Sequence, residues 1–243
     1  GFACVRLPTP PIVPQSATWQ LDAQRDAEAT LAAVGAGWDW CVVDHYALDK
    51  TWETIMHQSC MRILCSDDLA NRRHDADLLL DQNLHREPEK RYNGLLPANT
   101  DLMLGPAFAL LRPEFVAARA AAEPRHGHLR RILVFYTGGD DNGETMKAMM
   151  AFAKWRADLE VDVVVGAAHP RRSEIAAFCA LHHWRYHCQI DYMARLLAAA
   201  DLVLGAGGSA SWERCAVGAP ALVGGRKGVA VVARDAAQRR RLW

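Results

Sequence analysis

Residues 204–215 read L-G-A-G-G-S-A-S-W-E-R-C and bring together the groups that hold an anionic ligand. Glycine lets a backbone turn sharply and come close to a ligand. A helix that starts just after such a turn offers unpaired N–H groups and a partial positive charge. Glu213 stands about one turn into that helix, where a carboxylate can accept hydrogen bonds from ribose hydroxyls. Gly207, Gly208, Ser209 and Glu213 are therefore candidate nucleotide-binding residues. A tight turn whose helix is capped by Ser209 or Ser211 has the same spacing. The run matches neither a P-loop nor the dinucleotide fingerprint.

Three further places carry polar groups just after an apolar run. Thr137, Gly138, Gly139 and Asp140 follow the apolar stretch 132–136. Gly138 and Gly139 suit a diphosphate or sugar contact, and equally a plain strand-to-helix turn. Asp44, His45 and Tyr46 follow Val42 and Val43 and form the candidate catalytic group. Tyr46 can hold a sugar hydroxyl, and an imidazole such as His45 suits acid–base work or a local capping role. Asp81, Gln82 and Asn83 end the run L-L-L and suit either ligand contact or hydrogen bonding within the chain. Asp67 and Asp68 have no third ligand near them in sequence, so they read as an exposed turn rather than a metal site.

These groups need a scaffold that brings strand ends together. Apolar strands are expected at 39–43, 61–65, 77–80 and 101–104, with helices at 19–33, 49–59 and 112–122. In the second half, strands at 131–136, 161–165, 185–188, 201–204 and 220–223 alternate with helices at 144–155, 172–182, 191–199 and 210–217. Continuous apolar strands alternating with helices indicate a parallel sheet covered on both faces. Such sheets bind ligands at the carboxyl ends of their strands. The composition breaks at 123–130, which holds Pro124, Gly127, His126 and His128. The expected organisation is α/β with two Rossmann-like domains, 1–125 and 126–243.

Composition removes several classes. The 243 residues are 51% hydrophobic and 23% charged, and 28 Lys+Arg balance 28 Asp+Glu. A general nucleic-acid binder would show a basic excess. No apolar run reaches membrane-span length, and residues 1–14 lack the pattern of a signal peptide. A cytoplasmic location is the expectation. The seven cysteines are scattered and form no C-x-x-C pair, which reads as reduced, packed thiols.

Taken in order, D-H-Y (44–46), S-D-D (66–68), H-D-A-D-L-L-L-D-Q-N (74–83), L-G-P-A-F-A-L-L-R-P-E-F (104–115), T-G-G-D-D (137–141) and G-G-S-A-S-W-E-R-C-A-V-G-A-P (207–220) form a recognisable series. The series resembles the UDP-2,4-diacetamido-2,4,6-trideoxy-β-L-altropyranose hydrolases of pseudaminic acid biosynthesis, over roughly residues 39–223. The resemblance implies a GT-B-like fold similar to inverting glycosyltransferases. It implies water as acceptor, attack at the anomeric carbon, and release of UDP and the free sugar, with no metal and no cofactor. Glu213 matches the family's ribose-binding Glu, and Gly207, Gly208 and Ser209 match its diphosphate loop. Tyr46 matches a tyrosine on the sugar side. The family's G-x-G-H-x-x-R turn, whose His serves as general base, has no counterpart in this sequence. The first domain is accordingly expected to be incomplete at its N-terminus. The stretch after Val223 also departs from the family. A UDP-sugar-dependent glycosyltransferase and a catalytically impaired UDP-binding fragment are the alternative readings.

Overall fold

The computed structural model describes residues 4–7, 22–123, 125, 127–139, 141–154, 158–225 and 228–232. The chain divides into two units, Gly1–Leu110 and Leu111–Trp243. Each is α/β and is built on its own largely parallel sheet.

In the first unit, β1 (Trp38–Val43), β2 (Cys60–Ser66), β3 (Leu78–Asp81) and β4 (Asp101–Leu104) pair in parallel in the order β1-β2-β3-β4. Helix α1 (Ala23–Val34) starts where the Asp22 side chain accepts the Arg25 amide, and Gly35, at φ 71°, closes it. Helix α2 (Lys50–Met56) starts where Asp49 accepts the Thr51 amide. Alternate residues of the strands face these helices. Val43, Ile63 and Cys65 pack against Ala27, Trp52 and Met56. The opposite face of β1 carries Trp38, Trp40 and Val42, which are 55%, 46% and 67% exposed. A short helix, α3 (Pro88–Arg91), lies between β3 and β4.

The second unit contains helix α4 (Pro113–Ala121), β5 (Arg131–Phe135), α5 (Glu144–Ala153), β6 (Glu160–Val165), α6 (Arg172–Leu181), β7 (Arg185–Cys188), α7 (Met193–Ala199), β8 (Leu202–Gly205), α8 (Ala210–Val217), β9 (Ala221–Gly225) and β10 (Gly228–Val232). The sheet order is β10-β9-β8-β5-β6-β7. Five strands are parallel, and β10 runs antiparallel to β9. Counted from β5 as strand one, this is the doubly wound order 3-2-1-4-5-6. The two faces follow the side-chain alternation of β5. Ile132 and Val134 pack with Met149 of α5 and Ile175 of α6, whereas Leu133 packs with Phe115, Leu197 and Val217 of α4, α7 and α8.

The division at Leu110/Leu111 precedes the expected 125/126 boundary. The reason is α4: its Phe115 is fully buried in the second unit's core. Arg119 donates to the Val217 carbonyl, and Arg125 donates to the carbonyls of Leu197, Ala198, Ala200 and Gly218. These cations meet the carbonyl ends of α7 and α8, where the helix dipole favours them. Among the described residues, no helix is long and apolar enough to cross a membrane.

Candidate functional site

The strand order of the second unit reverses between β5 and β8, and such a switch point opens a crevice at the strands' carboxyl ends. The two glycine turns expected from sequence emerge there as neighbours, because Phe135 at the end of β5 pairs with Gly205 at the end of β8. A side chain at Gly205 would run into the Phe135 carbonyl oxygen. Gly166, after β6, is equally constrained: its Cβ would lie 2.8 Å from the Gly138 Cα. Glycine at both positions lets the loop 137–139 and the strand ends close up.

The turn after β8 is open to solvent. Gly207, Gly208 and Ser209 are exposed, and Gly208 has φ +83°, a left-handed conformation that favours glycine. Ser209 begins α8, but neither serine caps it as expected. Ser209 makes no side-chain cap bond, and the Ser211 hydroxyl instead accepts from Arg214 at 3.0 Å. At the α8 N-terminus the Ser211 and Trp212 amides instead turn back onto the Gly208 and Ser209 carbonyls, each at 2.9 Å. Gly138 is exposed and Gly139 half-buried, and the Gly139 amide donates to the Thr137 hydroxyl at 3.3 Å. Asp140 lies outside the described residues.

Glu213 sits in the first turn of α8 and is half-buried. Burial pushes its carboxyl above the usual value; Arg112 and Arg214 pull it back, and Glu114 adds to the rise. Arg214 is only 3% exposed and braces the turn from beneath, donating to the Ala206 carbonyl at 2.7 Å. Burial also lowers the proton affinity of this guanidinium.

A second bracing pair lies beside it. Asp141 accepts the Gly143 amide at 2.9 Å and the Thr145 amide at 2.7 Å, which fixes the start of α5. His169 Nδ1 accepts the Arg171 amide, and its Nε2 stands 3.5 Å from Asp141 Oδ1. Burial works to raise the Asp141 carboxyl, but the Thr145 and Gly143 hydrogen bonds and His169 hold it below its ordinary value. The loops after β5 and β6 thus approach each other through Asp141 and His169, whose Nε2 has no hydrogen-bond partner.

In the first unit, the candidate catalytic residues Asp44, His45 and Tyr46 follow β1 and are exposed. The Asp68 carboxylate beside Tyr46 raises its phenol, first by charge and then by hydrogen bonding. His45 Nδ1 accepts the Ala47 amide at 3.1 Å, so in the neutral ring the proton is on Nε2. Arg72 ties the strand ends together through Asp67, the Leu48 carbonyl and the His45 carbonyl. Asp67 is buried and Asp68 half-buried, so the expected exposed turn is an internal anchor. Asn83 donates to Asp68 at 2.9 Å, and Gln82 accepts the Leu110 amide at 3.0 Å. Both polar groups after β3 are therefore engaged within the chain.

No protein-family model matches the sequence, and no curated protein matches it. Sequence reasoning missed Arg214, Asp141 and His169. Arg214 adjoins Glu213 in the run that drew attention, but its inward direction follows only from its place on α8. The Asp141–His169 pair depends on β6 lying next to β5, for which no local spacing is diagnostic.

Proposed function

We propose that the second unit binds the UDP moiety of a nucleotide-sugar and that the protein is a GT-B-like UDP-2,4-diacetamido-2,4,6-trideoxy-β-L-altropyranose hydrolase. The observation that carries this reading is the meeting of the two glycine turns at the switch point, with Glu213 one turn into the adjoining helix. In this reading, Gly207 and Gly208 let the diphosphate approach the backbone, the positive end of the α8 dipole attracts it, and the Ser209 hydroxyl donates to it. The Glu213 carboxylate accepts from the ribose hydroxyls. Gly138 and Gly139 line the same crevice from β5. In the first unit, Tyr46, Asp44 and His45 are the residues that the resemblance gives to the sugar.

The reaction forms a bond from water oxygen to the anomeric carbon and breaks the bond from that carbon to the diphosphate oxygen. UDP leaves with the bonding pair, and the water proton passes to a base. The test is UDP release from the altrose-configured substrate, followed without any acceptor. Release with formation of the free diacetamido sugar supports hydrolysis. Transfer that requires an added acceptor sugar replaces it with a glycosyltransferase. UDP binding in calorimetry with no turnover in either assay reduces the assignment to a UDP-binding protein. Failure to bind UDP overturns the reading.

A further inference from the structure

We propose that Glu53, Cys65 and His74 form a zinc-type divalent metal site inside the first unit. The three residues come from α2, from β2 and from the segment leading into β3. All are buried, and one ligating atom from each lies within 4.8 Å of the others. His74 Nδ1 stands 3.3 Å from Cys65 Sγ and 2.7 Å from Glu53 Oε1. A tetrahedral zinc ion with ordinary bond lengths sets its ligand atoms roughly 3.4–3.6 Å apart. The sulfur–imidazole edge is nearly that long already, and the Glu53 carboxylate needs to back away by about 0.7 Å. One thiolate, one imidazole and one carboxylate suit zinc and its neighbours better than calcium or magnesium, which take oxygen.

The atoms behind the ligands make the stronger argument. His74 Nε2 is buried and has no hydrogen-bond partner, while Asp67 Oδ2 lies 3.9 Å away. With the neutral ring donating from Nδ1 to Glu53, Nε2 is a buried acceptor that faces a carboxylate. With a metal on Nδ1, Nε2 carries the proton and faces the same carboxylate as a donor. That is the outer arrangement metal-bound histidines adopt. Asp67 is itself fixed by Arg72 at 2.6 Å and by the Ala70 amide at 2.9 Å. The second Glu53 oxygen accepts the Asp75 amide at 2.5 Å. Each ligand except the thiol therefore has a partner that orients it. The charges also close: Glu53 and a Cys65 thiolate neutralise a divalent ion, and Arg72 already matches Asp67. Binding breaks the Cys65 S–H bond, forms a metal–sulfur bond and releases the proton to solvent.

The test uses the full chain, stripped with a chelator and titrated with cobalt(II). The expected result is one cobalt per chain, with a thiolate-to-cobalt charge-transfer band that zinc abolishes. Zinc is also expected to raise Tm. Cys65→Ser should remove the band. A triple variant, Cys4→Ser/Cys188→Ser/Cys215→Ser, should keep it, as should the single variants Cys41→Ser, Cys60→Ser and Cys179→Ser, and together these decide the matter if Cys65→Ser does not fold. Absence of the band in folded wild-type protein overturns the site and leaves a plain buried His74–carboxylate pair. So does a band lost in the triple variant, or one that survives Cys65→Ser.

Discussion

Replacing Glu213 with Gln separates a ligand-holding carboxylate from a structural one, because the two roles move affinity and stability in different ways. In the free protein, burial raises the carboxyl, so the ionised side chain is held at a net cost to the fold despite Arg112 and Arg214. Removing the charge therefore should not lower Tm. Ligand binding runs the other way. A hydrogen bond to a charged group contributes about 1.5–3 kcal/mol. Gln keeps one carbonyl acceptor and forfeits the second charged contact to the ribose, a loss of about 2 kcal/mol, or roughly 30-fold in Kd. Calorimetric titration with UDP near neutral pH, paired with thermal unfolding, measures both quantities. Unchanged affinity, or a Tm that falls in step with affinity, refutes the ribose assignment. The raised carboxyl also fixes a pH sign. Wild-type affinity should start to fall on acidification above the ordinary glutamate value of 4.5, and the Gln variant should lack that limb.

Three further outcomes follow from the same geometry. Gly207→Ala meets open space at a position without left-handed strain, so stability should hold while UDP affinity drops; Gly208→Ala, at φ +83°, should cost about 1 kcal/mol of stability by urea unfolding. Arg125→Met removes four donors from the carbonyl ends of α7 and α8 and should cost about 2–4 kcal/mol, and an unchanged urea midpoint would dismiss that clamp. Burial tends to raise the Asp162 carboxyl, but hydrogen bonds from Arg185 and His187 hold it below its ordinary value of 3.8. Its stabilising contribution is present above 3.8 and is lost as pH falls through the lower folded value, so this carboxylate's share of the gap between wild type and Asp162→Asn should shrink below pH 3.8.

The elements were largely legible because apolar runs and glycine or proline breaks mark their ends. The strand expected at 101–104 is β4 (Asp101–Leu104), and the helix expected at 210–217 is α8. What escaped depends on partners distant in sequence. Residues 228–232 follow Arg226 and Lys227 and read as a tail, yet their backbone pairs antiparallel with β9. The compositional break at 123–130 is real, but the division between units is set by where Phe115 finds its core. Of the candidate site, the glycine turns and Glu213 could be picked out because backbone freedom and helix starts leave local marks. Arg214 beneath the turn and His169 across from Asp141 acquire meaning only once strand order is known. The same holds for Glu53 and His74, which are joined through space across 21 positions of sequence.

Strand β1 has a practical consequence for handling the protein. Among the described residues it is the last strand of its sheet, and its Trp38, Trp40 and Val42 form an exposed apolar row on one side. Such a row, where nothing covers it, invites self-association in concentrated solution. Arg62, paired with Trp40 in register and with its guanidinium 5.6 Å from the Trp40 ring, is a gatekeeper charge within it. Arg62→Ser should bring on turbidity at lower protein concentration, and a lysine in place of Trp40 should postpone it.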